Sequence, residues 1–101
     1  MSTHINYKTY SLSVTTSEKE QELTDTDSTA RASDYIQIRN TGSVSAQIVL
    51  ITKEDREADF DVTGKTITLS AGASLDDDLE VEKILYKTAS GETTLEVYVS
   101  W

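Results

Sequence analysis

The 101-residue chain contains no cysteine and no proline, and only four glycines, one tryptophan, one phenylalanine and one histidine. Without cysteine there is no disulfide framework, no thiolate metal site and no thiol catalysis. Lysine and arginine number nine against eighteen acids, a formal net charge of −9. That balance argues against nucleic acid, whose binding rests on cations replacing counterions along phosphates, and against anionic membrane surfaces. No apolar run approaches the roughly 20 residues that a spanning helix needs. The opening "MSTHINYKTY" lacks a basic start followed by an apolar stretch, so a soluble chain with no secretion signal is expected.

What is present is threonine and serine, fifteen and twelve of them, spread among Val, Ile and Tyr. This is the composition of pleated strands. The hydrophobic period is two wherever it can be read. Tyr10, Leu12 and Val14 alternate with Ser11 and Ser13, and Ile36 and Ile38 with Gln37 and Arg39. Val44, Ala46, Ile48 and Leu50 share one face of a third run, and Ile67 and Leu69 one face of another. Leu95, Val97, Val99 and Trp101 line one face of the last. Turn chemistry separates these runs: "NTGS" with Gly42, "SAGAS" with Gly72 and "ASGE" with Gly91, each glycine offered for a left-handed position.

Two segments break the alternation. Residues 17 to 33 are polar, and "SEKEQEL" reads either as one helical turn capped by Ser17 and Glu20 or as an irregular connection crossing between two sheets. "KEDREAD", 53 to 59, reads as a solvated loop whose charges serve solubility. The expected architecture is all-β: an antiparallel β-sandwich, Ig-like or jelly-roll-like, of about seven strands, with a small closed barrel as the alternative. An N-terminal arm, 1 to 8, precedes a single domain, 9 to 101.

Catalytic constellations are hard to assemble from these residues. A serine nucleophile needs a base, and the one histidine, His4, sits in the arm. Asp76, Asp77 and Asp78 repel one another, and bound calcium would relieve them, yet the glycine and distal glutamate of a calcium loop are missing; a solvated acidic turn is the simpler reading. "DTDST", 25 to 29, shares that lack. Asp77 has the parity of Leu75, Leu79 and Val81, so a turn or bulge is expected there rather than an unbroken strand. No enzyme, cofactor or metal is expected, and a small hydrolase is the least favoured reading.

The run "QIVLI" is apolar on both parities, with Ile48 and Leu50 on one side and Val49 and Ile51 on the other. If the first pair faces the core, the second needs cover from the 17 to 33 connection or from a neighbouring subunit. In the latter case Val49 and Ile51, with the tyrosines Tyr86 and Tyr98, form an interface and the chain is a homo-oligomer. Tyr98 is the one tyrosine placed outward by the parity of its strand, a thin platform for carbohydrate.

Three motifs carry a resemblance: Ile38, Asn40, Gly42 and Ser43; Thr68, Leu69, Ala71, Gly72 and Ser74; and Ile84, Tyr86, Ala89, Ser90, Gly91, Leu95, Val97 and Val99. Their order over residues 9 to 101 resembles small β-sandwich structural proteins of tailed-bacteriophage virions, with Leu95 where valine is commoner. The resemblance implies a non-enzymatic virion component with capsid or neck and tail proteins as partners: an outer capsid decoration protein, or alternatively a neck or tail completion protein. A carbohydrate- or cell-surface-binding module of a virion fibre or adhesin is a further alternative. The location implied is the virion, assembled in the host cytoplasm.

Overall fold

The computed structural model describes residues 6–24, 33–61 and 64–101. Among them run eight strands: β1 (Tyr7–Val14), β2 (Lys19–Glu22), β3 (Tyr35–Asn40), β4 (Ala46–Thr52), β5 (Thr66–Leu69), β6 (Ser74–Asp77), β7 (Val81–Lys87) and β8 (Thr93–Ser100). They form two four-stranded sheets, ordered β1-β8-β3-β6 and β2-β7-β4-β5. Every pairing is antiparallel. The first strand pairs with the last, the second with the seventh, the third with the sixth and the fourth with the fifth, as if one long hairpin had been rolled up. The β3–β8 and β4–β7 ladders close the roll. This is the jelly roll, and it settles the two forms of sandwich in favour of that one.

The alternation of side chains explains the inner layer. Leu12, Val14, Ile36, Ile38, Leu95, Val97 and Val99 from the first sheet meet Ala46, Ile48, Leu69, Ile84 and Tyr86 from the second, all buried. Leu23, Val81 and Trp101 fill one end. Asn6 and Trp101 exchange backbone hydrogen bonds of 2.9 and 3.0 Å, so the ladder begins inside the segment expected to be a free arm.

The strand beyond the expected seven includes β2, where a helical turn or irregular loop was the reading. "KEQE" has no apolar parity to reveal it; pairing with β7, Lys19 opposite Tyr86 through Glu22 opposite Lys83, imposes the extended form. The segment does cross between sheets, since β1 and β3 lie in one and β2 in the other. β6 ends at Asp77, exposed at the rim, and the chain leaves for the other sheet there, as the parity of Asp77 demanded.

Gly72 and Gly91 have φ of 80° and 78°, the left-handed positions expected of them. Gly42 differs: its φ is not in that region. A Cβ there would lie 2.8 Å from Thr93 Cα and Thr94 N, so glycine is needed for close approach of two backbones.

Candidate functional site

The second apolar face of β4 is covered by the chain itself. Val49 and Ile51, 0% and 1% exposed, join Leu85 and Ala58 in a separate cluster, with Phe60 packed against it. The cover is the β4–β5 connection, the same stretch whose composition reads as a solvated loop. Two turns, Asp55 N–H to Thr52 C=O and Ala58 N–H to Asp55 C=O, bring Ala58 down onto the sheet. Arg56 clamps the flap by donating from Nε and Nη2 to the two carboxylate oxygens of Glu82, each at 3.0 Å. Lys65 meets Asp55 at 3.2 Å, and Lys87 Nζ stands 4.5 Å from the centre of the Phe60 ring. These charges hold a lid and do more than keep the chain in solution.

Three of the four residues expected at an interface are thereby placed inside. Val49 and Ile51 lie under the flap, and Tyr86 lies in the main core, where burial raises its phenol above the ordinary tyrosine value. Among the described residues the cover comes from 53 to 60, a stretch that was not expected to supply it, while Glu22 and Thr24 of the 17 to 33 connection line a hollow beside Ile51.

Tyr98 alone faces out, and it has company. On the outer face of the β1-β8-β3-β6 sheet, the register aligns Thr9, Tyr98, Gln37 and Asp76 in one row across four strands. Ser11, Glu96, Arg39 and Ser74 form the next row. Tyr7 stacks on Tyr98, ring centres 5.7 Å apart at 20°, and Tyr35 meets Tyr98 edge-on at 6.0 Å. Tyr7 is 63% exposed, an uncommon degree for a side chain of its size. Below the rings, Thr9, Gln37, Arg39, Glu96, Val97 and Tyr98 line a shallow hollow. Ser11 Oγ donates to Glu96 Oε1 at 3.0 Å, and Tyr35 Oη to Asp76 Oδ2 at 3.5 Å. Desolvation, then the carboxylates of Asp76 and Asp78, hold the Tyr35 phenol above its usual range, so the group presents a neutral hydroxyl at ordinary pH.

Tyr7 and Tyr35 also sit out of phase with the core residues that follow them, a local signal that the reading of Tyr98 as the one outward tyrosine missed. Their union with Tyr98 had no such signal, because it depends on the strand order β1-β8-β3. Among the described residues no group of three or more His, Cys, Asp or Glu is placed to hold a metal. His4 and the "DTDST" segment lie outside the described residues.

No family model matches the chain, and no curated protein matches it in sequence. Several solved structures share its fold. A HTH_3 family transcriptional regulator from Vibrio cholerae is 8% identical with a TM-score of 0.55, the match covering 94% of this chain and 43% of that one. The Cupin_2 domain of an XRE family transcriptional regulator from Enterobacter cloacae is 9% identical with a TM-score of 0.57, covering 94% and 81%. Hydroxypropylphosphonic acid epoxidase from S. wedmorenis is 15% identical with a TM-score of 0.54, covering 92% and 42%. The chain thus spans less than half the length of the first regulator and of the epoxidase. Identities this low establish the jelly roll alone, a fold found here in an enzyme and in regulators.

These findings correct the virion reading. Among the structures that share the fold are regulators, Cupin_2 domains and an epoxidase, and none of those named is a virion protein. The decoration, neck or tail, and fibre or adhesin roles fall together. The physical reason is visible in the motifs that carried the resemblance. Asn40 and Gly42 hold a turn, Gly72 and Gly91 supply left-handed backbone, and Leu95, Val97 and Val99 fill the core, so the motifs specify a roll and no role. Similar structures of the epoxidase fold have been solved with Co(II) and Fe(II). Among the described residues the inner faces of the two sheets carry mainly aliphatic side chains, with Tyr86 and Trp101, and no acid or histidine is in that core.

Proposed function

We propose that this chain is a non-catalytic binding module that docks a partner protein on the outer face of the β1-β8-β3-β6 sheet, through Tyr7, Tyr35, Tyr98 and Arg39. The observation that carries this reading is the tyrosine group itself, three rings from three adjacent strands gathered beside an arginine on an otherwise Thr- and Ser-rich face. Tyrosine and arginine are the residues over-represented among those that dominate binding energy at protein interfaces. Among the described residues, the aliphatic side chains packed between the two sheets support the same reading.

The partner's contacting surface carries lysine or arginine. The chain is acidic by nine charges, Asp76 and Glu96 flank the rings, and exposed ring faces attract cations. Selection of a displayed random-peptide library on the protein tests this. Enriched peptides are expected to be rich in arginine and lysine, and Tyr98→Ala is expected to weaken them at least about tenfold, which is about 1.4 kcal/mol. Peptides that bind the variant as tightly as the parent would refute the proposed face.

A further inference from the structure

The two sheets have four edge strands, and they are not alike. β6 carries Asp76 and Asp77, β2 is "KEQE", and β5 is four residues long, all devices that discourage another strand from adding. β1 is eight residues long and carries one charge, Lys8. The doubly bonded pair Asn6 and Trp101 sets the phase of the β1–β8 ladder. Lys8, Tyr10, Leu12 and Val14 therefore bond inward to β8, while Tyr7, Thr9, Ser11 and Ser13 turn their N–H and C=O groups to the open side. At the ends of that row, Tyr7 N–H is taken by Asn6 Oδ1 at 2.9 Å and Ser13 C=O by Lys19 Nζ at 3.4 Å. In the middle, exposed Thr9 and Ser11 present their backbone groups to solvent.

We infer that the open edge of β1 pairs with β1 of a second copy of this chain, antiparallel across a two-fold axis at Tyr10. Charge selects the occupant. At a net charge of −9 most faces of two copies repel, but this register sets no carboxylate opposite another: Thr9 stands opposite Ser11 of the second copy, Lys8 opposite Leu12, and Tyr10 opposite Tyr10. The pairing joins two four-stranded sheets into one, so two tyrosine groups lie on a single continuous face. The inference stands on the edge alone and holds whatever the tyrosines bind. An interface built on one pair of strands is small, so the association is concentration-dependent rather than permanent.

Sedimentation equilibrium of the whole chain over a wide concentration range tests it. The mass should rise from one chain to two and stop there. Ser11→Pro removes an N–H that β8 does not use, and proline is tolerated on the outer side of an edge strand. It should weaken the dimer at least about tenfold, by the loss of about 1.4 kcal/mol. The double variant Thr9→Glu with Ser11→Glu, which keeps the backbone intact, should do the same by bringing carboxylates together, with an unchanged circular dichroism spectrum. Tyr98→Ala should dimerise normally while losing peptide binding, so the two proposals can fail separately. A chain that stays single at every concentration, or a dimer indifferent to both edge variants, would overturn the inference.

Discussion

Asn40→Ala lowers the free energy of unfolding by about 3 to 5 kcal/mol, a large part of the roughly 5 to 15 kcal/mol that holds a domain of this size together. Asn40 is 1% exposed and uses every hydrogen-bonding position of its amide. Its Nδ2 donates to Val44 C=O at 2.8 Å and Leu69 C=O at 2.9 Å; its Oδ1 accepts from Gly42 N–H at 3.1 Å and Thr93 Oγ1 at 2.6 Å. One side chain thus ties the β3–β4 turn to the end of β5 and the start of β8, across both sheets. Truncation strands Leu69 C=O and Thr93 Oγ1 away from water, each at a cost of about 1 to 3 kcal/mol, and loosens the half-buried Val44 C=O and Gly42 N–H as well. Thr93→Val, which removes a single donor, should cost only about 1 kcal/mol, and Asn40→Asp should be as harmful as alanine near neutral pH because a carboxylate would face two carbonyls. Urea unfolding with an unchanged m-value measures all three. A loss below about 1 kcal/mol for Asn40→Ala would mean that the bracket is not formed.

Substituting both Val49 and Ile51 by lysine leaves the chain unfolded. If these residues served a partner, the double variant would fold and merely fail to bind. They lie instead in one buried cluster with Ala58, Leu85 and Phe60, and the Glu82 that shares a hollow with Ile51 is already bound by Arg56. Each such burial costs several kcal/mol, so two exceed the stability of the domain. Ile51→Ala is the gentler companion, with an expected loss of about 2 to 4 kcal/mol from lost transfer energy and the cavity left behind. Circular dichroism and proton chemical-shift dispersion read the first result, and urea titration the second. A folded, monomeric double lysine variant would show that the flap is no lid.

Much of the roll was legible in the sequence because its inner layer depends on a local rule. Alternation along β1, β3, β4 and β8 identified the core face, and Gly72 and Gly91 marked turns, without knowledge of what any strand touches. The failures share the opposite character. β2 is extended only because β7 lies beside it. Ala58 and Phe60 vanish into the composition of a charged segment, although their separation by two residues lets both descend onto the sheet. Gly42 was read as left-handed when its constraint is the backbone of Thr93, fifty-one places along the chain. The tyrosine face belongs to this second class: the parity of each ring was local, but the gathering required strand order. The correction of the virion role has the same root, since its motifs were turn and core positions.

The surplus apolar face of β4 is covered either by the chain's own flap or by a partner, and proton–proton contacts in solution report which. Cover by the flap predicts nuclear Overhauser contacts from the Ala58 methyl and the Phe60 ring to the methyls of Val49, Ile51 and Leu85, in a sample dilute enough to hold single chains. Their absence from such a sample, with Val49 and Ile51 open to a soluble paramagnetic probe, would contradict it and return that face to a partner.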